Sequence, residues 1–316
     1  MTPVSAQRRQ RGVALITAVL IVALGTMLAA GVFFRGYLDQ RRSATLFALD
    51  QAYEVALGAE AWAADFLRQD RQESDTDHFG EAWAKPLPPL PLDDGGTVEG
   101  RLEDMQGRFN LNNLRTPEGT TNEDAVKQLE RILQMLEIEP SWAAAIADWV
   151  DVDGDPGFPD GAEDSVYTSL TPPHRAANMT ITRASELMVL NGFGAERYAK
   201  LAPYVTALPV GTKLNVCTAS GIVLDSLSET EREFSLSPED TAKRRADTCY
   251  PTIDALHNKL GDEEYDKVKN SLTDSSNYFR ANVWVTIGTT QFTLYSLLAR
   301  ADQGPVRTIL RSFGSE

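Results

Sequence analysis

The chain has little of what zinc enzymes, disulfide-rich proteins and nucleic-acid-binding proteins are built from. Its 316 residues include only 2 cysteines and 3 histidines. Two cysteines exclude a disulfide scaffold and a four-cysteine zinc site, and His78, His174 and His257 are too scattered in sequence to suggest a zinc enzyme. Positive charge is also scarce, since 30 Lys and Arg stand against 45 Asp and Glu, a net charge of −15. Such a surface repels nucleic acid and suits cations.

One long apolar run interrupts an otherwise ordinary globular composition of 42% hydrophobic and 24% charged residues. That composition excludes a disordered chain and a polytopic membrane protein. Residues 13–34 are 22 positions without a charge, and as a helix they would span roughly 33 Å, enough to cross a bilayer. Arg8, Arg9 and Arg11 precede the run, and positive flanks stay cytoplasmic. The rest of the chain is therefore expected on the far side of the membrane.

The helical pattern continues beyond the apolar run. Apolar residues recur at helical spacing as far as Asp70, so one helix of roughly 60 residues is apolar all round at first and then amphipathic. An ordinary signal anchor and a cleaved secretory signal peptide are alternatives. Neither needs the amphipathic second half, and residues 13–34 are long for a signal-peptide core. The basic leader also ends at Gly12, directly before the apolar run.

A basic leader that ends in glycine and precedes such a helix resembles the class III signal of type IV pilins and pseudopilins. The resemblance implies that a prepilin peptidase removes the leader, residues 1–12, by cleavage after Gly12, and that the new N-terminus at Val13 is methylated. Residues 13–70 would form the N-terminal helix. Most family members carry glutamate at the fifth mature position, where this chain has Thr17.

The absence of that glutamate is typical of the K family of minor pseudopilins in type II secretion. In the family the glutamate neutralises the terminal ammonium of a neighbouring subunit. A carboxylate that lacks this partner is costly in hydrocarbon, so a subunit with no neighbour above it is better without one. Thr17 therefore predicts a position at the tip of a fibre.

The soluble part is predicted to be an α+β domain interrupted by an insertion. Residues 97–112 alternate and predict one or two strands, residues 117–274 are mostly helical, and residues 277–298 return to strands. This order excludes a βαβ repeat. We expect a pilin-like fold with a long N-terminal helix and a small antiparallel sheet from residues 71–116 and 275–316. The insert is expected to be large and all-helical.

The element order and several segments along the chain resemble the K family of minor pseudopilins. The segments are Gly107–Leu114, Asp148–Asp151, Gly161–Asp164 with Tyr167, Ser185–Leu187 with Leu190 and Gly192, and Leu214–Ala219. Each is modest alone, but together they cover essentially the whole chain in order.

The resemblance to the K family implies a role in assembly and no catalysis. In that family the K subunit joins the I and J minor pseudopilins in a tip complex that starts pseudopilus assembly and limits its length. The H subunit and the major pseudopilin G lie below. The chain would be a single-pass protein of the inner membrane with its C-terminal domain in the periplasm, acting in protein export across the outer membrane. A tip minor pilin of a type IV pilus machine is the alternative.

Seven carboxylates crowd into one turn-rich loop after a predicted helix. They are Asp148, Asp151, Asp153, Asp155, Asp160, Glu163 and Asp164. Charges this dense either stay solvated or are drawn together by a hard cation, and oxygen ligands at this density suit Ca²⁺. Because the K family binds calcium, the resemblance adds an expected calcium cofactor on these residues.

Two other interpretations of the acidic loop fit less well. The spacing of Asp151, Asp153 and Asp155 resembles the start of an EF-hand, but Pro156 and Ala162 stand where that loop needs glycine and glutamate. A hydrolase with paired carboxylates would place them in a cleft rather than in tandem on one loop.

Cys217 and Cys249 are the only cysteines. Beyond the inner membrane they are expected to be oxidised. A bridge would close a loop of 33 residues, a constraint of about 4 kcal/mol in the chain-entropy model. Two free buried thiols are the alternative.

Residues 186–205 look like a helix-hairpin-helix, a motif that often holds a DNA phosphate at a helix start. A membrane-anchored DNA receptor is therefore the rival from another functional class. The two acids and two bases of this segment cancel, whereas a nucleic-acid surface needs a basic patch. We expect no nucleic-acid partner and interpret the hairpin as helical packing.

Overall fold

The computed structural model describes residues 10–93, 95–229, 233–236, 243, 248–301 and 304–314. Most of the predicted leader, residues 1–9, lies outside the described residues. The first element is α1 (Gln10–Glu73), a single helix of 64 residues, which confirms the predicted N-terminal helix. Residues 13–46 of α1 are exposed, and the helix is long and apolar enough to cross a membrane.

Shorter helices and strands follow α1 along the chain. The helices are α2 (Glu123–Met135), α3 (Trp142–Val150), α4 (Asp164–Tyr167), α5 (Gly194–Leu201), α6 (Gly221–Asp225), α7 (Glu233–Leu236) and α8 (Ile253–Val268). Short 3₁₀ helices cover Ala82–Ala84, Leu111–Leu114, Ala184–Val189, Ala202–Tyr204 and Lys269–Ser271. The strands are β1 (Leu87–Leu92), β2 (Gly96–Asp104), β3 (Phe109–Asn110), β4 (Val205–Thr206), β5 (Leu214–Asn215), β6 (Leu272–Thr273), β7 (Tyr278–Ile287), β8 (Thr290–Ala299) and β9 (Arg307–Phe313).

Five strands form an antiparallel sheet in the order β1-β2-β7-β8-β9. The predicted strands near the C-terminus are confirmed as the hairpin β7–β8. The sequence pattern does not predict β9. It also indicates only that the Pro-rich segment containing β1 is not helical. Because Pro88, Pro89 and Pro91 have no amide hydrogen, the sheet accommodates them at its edge.

The amphipathic half of α1 packs on one face of this sheet. Ala52 and Ala56 are fully buried with residues of β7 and β8, and Leu67 is buried with Phe279 further along. The small side chains let the helix lie close to the strands. Glu60 of α1, which is 5% exposed, forms an ion pair of 2.7 Å with Arg311 of β9. These contacts fix α1 on the sheet.

The insert lies between β2 and β7 and has two apolar cores. The first joins α2, α3 and α5, and the second joins α6 and α8 around Cys217. Asn122 caps α2 by accepting a hydrogen bond from the Ala125 amide, and asparagine is among the residues preferred at this position. The insert is mixed rather than purely helical, because it contributes to the short parallel pairs β3–β4 and β5–β6.

A buried polar network connects the insert to the sheet. Asp104 Oδ2, at the end of β2, accepts hydrogen bonds from Asn215 Nδ2 at 3.0 Å, Ser276 Oγ at 2.6 Å and Thr218 Oγ1 at 2.5 Å. Burial raises the pKa of Asp104 to about 6, although the hydrogen bonds from Ser276 and Thr218 oppose the shift. The network therefore joins β2, which precedes the insert, to Asn215 and Thr218 of the insert and to Ser276, which lies between the insert and β7.

Candidate metal centre

Asp148 organises the acidic loop through backbone amides. It lies near the end of α3, whose apolar face is buried, and is itself 2% exposed. Its carboxylate accepts hydrogen bonds from the amides of Gly157 at 3.1 Å and Ala162 at 2.7 Å. A Cβ atom at Gly161 would overlap this carboxylate and the Gly157 backbone, so the loop requires glycine there. Asp148 therefore folds the loop back onto the end of α3.

Three of the seven predicted ligands come together at the base of this loop. Asp151, Asp153 and Glu163 each offer one carboxylate oxygen, and these oxygens lie within 4.8 Å of one another. Asp151 is 1% exposed and Glu163 is 2% exposed, whereas Asp153 is exposed. We call these three residues the loop group.

The loop group has buried oxygens that lack a hydrogen-bond partner of ordinary geometry among the described residues. Both carboxylate oxygens of Glu163 and Oδ1 of Asp151 are buried without a hydrogen-bond partner. Thr121 Oγ1 donates to Asp151 Oδ2 at 2.8 Å. The side-chain oxygen of Asn178 is also buried and unpartnered, while its amide donates to the Asp153 carbonyl. Buried carboxylates without partners are costly, and a cation would relieve that cost.

The electrostatics of the loop group favour the same ligand chemistry. Burial, followed by the charge of Asp148, raises the pKa of Glu163 to about 7, although the nearby Asn178 side chain opposes the shift. Burial also raises the pKa of Asp151 to about 6, with further increases from Asp153 and Asp148 and with the Thr121 hydrogen bond opposing them. The site penalises negative charge in the absence of a counter-ion. An all-oxygen donor set of this kind fits a hard divalent cation.

The other predicted ligands do not join the loop group. The Asp148 oxygens are taken by amides, and Asp155 and Asp160 are exposed. Asp164 Oδ1 accepts from the Ala176 amide at 3.0 Å, and Oδ2 lies 3.8 Å from Arg175 Nε. The structure therefore brings together three of the seven predicted ligands, because a run of acids does not indicate which carboxylates turn inward.

A second group of three carboxylates is not predicted from the sequence. Asp70, Asp77 and Glu81 also place one oxygen each within 4.8 Å of one another. Arg300, 3% exposed, binds both oxygens of Asp77 at 2.5 and 2.6 Å and Asp70 at 3.0 Å. Glu81 accepts from Trp83 Nε1 at 2.7 Å. We call Asp70, Asp77 and Glu81 the arginine-held group. These residues form no recognisable sequence motif, because Arg300, the side chain that pairs with Asp70 and Asp77, lies far away in the sequence.

The two cysteines form a disulfide. Cys217 and Cys249 are bonded, with their Cα atoms 4.6 Å apart. Cys217 is buried in the second core of the insert, and Cys249 packs against that core. The predicted pairing is confirmed, and the bridge closes a segment that contains α6 and α7 and ends before α8.

The predicted processing residues Gly12 and Val13 lie in α1 and are exposed. The hydroxyl of Thr17 donates to the backbone carbonyls of Val13 at 3.1 Å and Ala14 at 3.0 Å. The hydroxyl is therefore satisfied within its own helix and needs no neighbouring subunit. Cleavage, methylation and the role of Thr17 in assembly stay predictions.

The hairpin that resembles a DNA-binding motif packs into the insert. Its 3₁₀ helix, Ala184–Val189, and α5 flank a turn in which Gly192 and Gly194 have positive φ angles of 84° and 75°. Leu187 and Phe193 are fully buried in the first core. These contacts give the hairpin a structural explanation.

Comparison with known proteins identifies the family. The family model described as "Type II secretion system (T2SS), protein K" matches residues 107–210. Type II secretion system protein K of Pseudomonas aeruginosa is 37% identical over 98% of this chain and 94% of its own length. The Aeromonas hydrophila protein of that name is 32% identical over 97% of this chain and 98% of its own length.

A solved structure agrees with these sequence comparisons. It is the crystal structure of the GspK-GspI-GspJ complex from enterotoxigenic Escherichia coli, in which one chain matches with a TM-score of 0.76 and 25% identity, covering 87% of this chain and 100% of its own. The shared architecture includes the long N-terminal helix and the antiparallel sheet. Since two relatives exceed 30% identity over nearly the full length, this chain belongs to the type II secretion system protein K family, the K minor pseudopilins.

Proposed function

We propose that this minor pseudopilin occupies the tip of the type II secretion pseudopilus, where it starts assembly and limits fibre length during export across the outer membrane. The observation that carries the proposal is the insert of about 160 residues on a pilin-like domain. A helical array of subunits packed side by side has no room for such a volume between its members, whereas an end position leaves it free.

The N-terminal helix supports the same position. A subunit below the tip uses an acidic side chain near its N-terminus to meet a neighbour's terminal ammonium. This chain has Thr17 there, and its hydroxyl is already bonded to its own backbone. The exposed apolar half of α1 anchors the chain in the inner membrane before assembly, with the folded domain in the periplasm. A prepilin peptidase cleaves after Gly12, and Val13 becomes the methylated N-terminus.

The partners at the tip are the I and J minor pseudopilins. The matched solved structure contains a K subunit together with an I and a J subunit, and this chain shares the fold of one of its chains across that chain's full length. The H subunit and the major pseudopilin G follow below this complex. The alternative, a tip minor pilin of a type IV pilus machine, lacks support from the relatives, which are type II secretion proteins.

Co-expression with I- and J-type pseudopilins tests the proposal. The full chain, extracted from inner membranes in mild detergent, should purify as a complex with both. Deleting the gene for this chain should stop secretion. In cells that overproduce the major pseudopilin, the same deletion should give longer fibres. Thr17→Glu should impair tip function, while Thr26→Glu, one hydroxyl further along the same helix, controls for charge in the apolar segment. Fibres of unchanged length without the chain would contradict the length-limiting role.

Mass spectrometry of the membrane-extracted chain tests processing. The expected N-terminus is Val13 carrying one additional methyl group, and Gly12→Leu should leave the leader attached. A chain that begins beyond α1 would contradict membrane anchoring and assembly together.

The loop group holds calcium in this proposal. Asp151, Asp153 and Glu163 would be the carboxylate ligands, and Ca²⁺ would neutralise buried charge and tie the loop to the end of α3. The supporting observation is the set of buried, unpartnered oxygens. Calorimetric titration with calcium should show binding that Glu163→Gln abolishes and Asp155→Asn, an exposed carboxylate on the same loop, preserves. Equal binding by both variants would place the ion elsewhere.

A further inference from the structure

A cavity of about 110 Å³ lies where the insert meets the sheet. The insert contributes residues around the 3₁₀ helix Ala184–Val189 and α5, and the sheet contributes residues of β7, β8 and β9. Apart from Thr182, the described residues that line the cavity are buried or half-buried. The volume exceeds what one water molecule needs, so the junction between the insert and the sheet has room for a small ligand.

The sheet meets this cavity with the face that α1 does not cover. Along β7, Phe279 and Ala281 are buried in the core beneath α1. Because side chains alternate along a strand, Arg280 points to the opposite face, where it lines the cavity. Tyr295 of β8 and Ser312 of β9 are cross-strand partners that line the cavity beside it. The cavity therefore lies between the insert and this second face of the sheet.

Positive charge converges on the cavity. Arg108, Arg183 and Arg280 line it, and none of the described lining residues is acidic. Glu103 orients two of these arginines, because its carboxylate lies 3.0 Å from Arg108 Nη2 and 2.5 Å from Arg280 Nη2. Arg101 Nη2 also lies 2.5 Å from Glu103. These three guanidinium groups share one carboxylate, and although burial acts in the opposite direction they lower its pKa.

Arg183 is the arginine that the hairpin side of the insert adds to the cavity. Its Nη2 atom donates to the Arg311 backbone carbonyl at 3.3 Å, and its guanidinium forms no ion pair with any residue that the structure describes. A guanidinium carries five N–H groups, arranged so that two of them can bind one carboxylate. A carboxylate in the cavity would therefore meet guanidinium groups from both the insert and the sheet.

The apolar part of the lining indicates what the rest of the ligand is. Leu297 and Leu310 are cross-strand partners on the sheet, and both line the cavity together with the buried side chains of Met105 and Val205. Inorganic phosphate or sulfate has no apolar surface to place against such walls. A carboxylate that carries a short hydrocarbon group removes that group from water there.

We propose that this cavity binds a carboxylate that carries a short branched apolar group. Arg183 and Arg280 hold the carboxylate, and Leu297 and Leu310 contact the apolar group. Free short-chain acids and the C-terminal leucine or valine of a peptide share this chemistry. Because the ligand contacts both the insert and the sheet, its binding stabilises the junction between them. The site is separate from the loop group and does not depend on where the subunit lies in a fibre.

Calorimetric titration of the full chain in mild detergent tests the ligand class. Isovalerate and isovaleramide have the same branched body, but only isovalerate carries a carboxylate, so it should bind at least about tenfold more tightly. Absence of isovalerate binding, equal binding of the two probes, or tighter binding of inorganic phosphate than of isovalerate overturns the proposal. N-acetyl-leucine identifies the source of the ligand. If it binds more tightly than isovalerate, the ligand is a peptide C-terminus, and if it does not, the ligand is a free acid.

Matched variants test whether the probe binds in this cavity. Arg183→Met should weaken isovalerate binding about tenfold. Arg307→Met, at an exposed position of β9 outside the cavity, should leave it unchanged. Undiminished binding by Arg183→Met overturns the proposal, provided that its thermal unfolding without ligand lies within a few degrees of that of the unmodified chain.

A second pair of variants tests the apolar wall and does not alter any charge. Leu310→Ala should lower the affinity for isovalerate towards that for acetate, because acetate has no branched group to place against the wall. Ile309→Ala is the matched control, since Ile309 is the neighbouring residue on the opposite face of β9 and is 50% exposed. An isovalerate affinity that is the same in Leu310→Ala as in the unmodified chain also overturns the proposal.

Discussion

The arginine-held group and the loop group each place three carboxylate oxygens within 4.8 Å of one another, and each contains at least one carboxylate that is 1% exposed. They differ in what compensates the charge. In the first, Arg300 forms ion pairs with Asp70 and Asp77. In the second, no lysine or arginine of the described chain forms an ion pair, and three buried oxygens have no hydrogen-bond partner.

The positions of the two groups explain this difference. Arg300 follows β8 and joins the end of α1 to the sheet, with its guanidinium also 4.8 Å from the Phe279 ring centroid. That joint is part of the pilin-like domain and is built into the chain. The loop group lies at the end of α3 in the insert, with Asp153 exposed to solvent. If the loop group binds calcium as proposed, the same anionic chemistry is a permanent brace in one region and a ligand-dependent brace in the other.

Removing the built-in cation should have the largest effect. Arg300→Met leaves Asp77 buried without a counter-charge, so the free energy of unfolding should fall by about 3–5 kcal/mol. Urea unfolding of the detergent-solubilised chain measures it. Arg68→Met, which breaks a partly exposed pair with Asp65 on the same helix, should cost at most about 1 kcal/mol. Equal losses in the two variants would show that the arginine-held group is not a brace.

The pH dependence of stability should reveal the cost of burying the charge of Asp70, which Arg300 compensates only in part. Burial, and then the charges of Glu81 and Asp77, raise the pKa of Asp70 to about 6 despite the opposing effect of Arg300. The folded chain therefore binds this proton more tightly than the unfolded chain, so stability falls as pH rises from about 4 to 6. Asp70→Asn should remove up to about 3 kcal/mol of this change.

Unfolding curves at several pH values between 4 and 7 measure that difference. The exposed carboxylate Asp155 serves as control, and Asp155→Asn should leave the pH profile unchanged. If Asp70→Asn and the unmodified chain lose stability in parallel as pH rises, the carboxyl of Asp70 has an ordinary pKa in the folded state.

Calcium should act on the loop group alone. At a calcium concentration one hundred times the dissociation constant, mass action stabilises the folded chain by about 2.7 kcal/mol, which a chelator removes. Glu163→Gln should abolish the calcium response. In chelator this variant should be at least as stable as the unmodified chain, because it no longer buries an uncompensated charge.

Thermal unfolding in calcium and in chelator measures this response. Asp155→Asn should keep the calcium response. Arg300→Met should keep it too, although its unfolding temperature should be lower both in calcium and in chelator. A calcium response that survives Glu163→Gln but not Arg300→Met would reverse the comparison and place the cation in the arginine-held group.

How far the sequence predicts the molecule depends on whether a feature is local in the chain. The long helix is predicted because its apolar period continues from residue 13 to residue 70, and the hairpin β7–β8 is predicted because its strands alternate around a turn. The acidic loop is predicted because its seven carboxylates all fall within residues 148–164. The arginine-held group escapes prediction because Arg300 lies more than 200 residues from Asp77, and only the folded sheet brings them together.

Two smaller features also depend on the fold rather than on local sequence. β1 contains three prolines that argue against a strand, and only its edge position in the sheet makes them compatible. Local spacing does not indicate which carboxylates are engaged by amides, so the sequence offers seven candidate ligands where the structure groups three. Asp148 looks like a calcium ligand in sequence, yet in the fold it is an acceptor for the loop's own backbone.

This distinction between Asp148 and Glu163 gives the smallest and most discriminating prediction. Asp148→Asn keeps the shape of the side chain. Its amide nitrogen, however, would face one of the two backbone amides that donate hydrogen bonds to the carboxylate. The substitution should lower the free energy of unfolding by about 1–2 kcal/mol, and by the same amount in calcium and in chelator. Asp160→Asn, exposed on the same loop, should change neither value. A loss confined to calcium would make Asp148 a ligand and enlarge the loop group to four carboxylates, whereas an equal loss in both solutions separates the residue that shapes the loop from the residues that bind the ion.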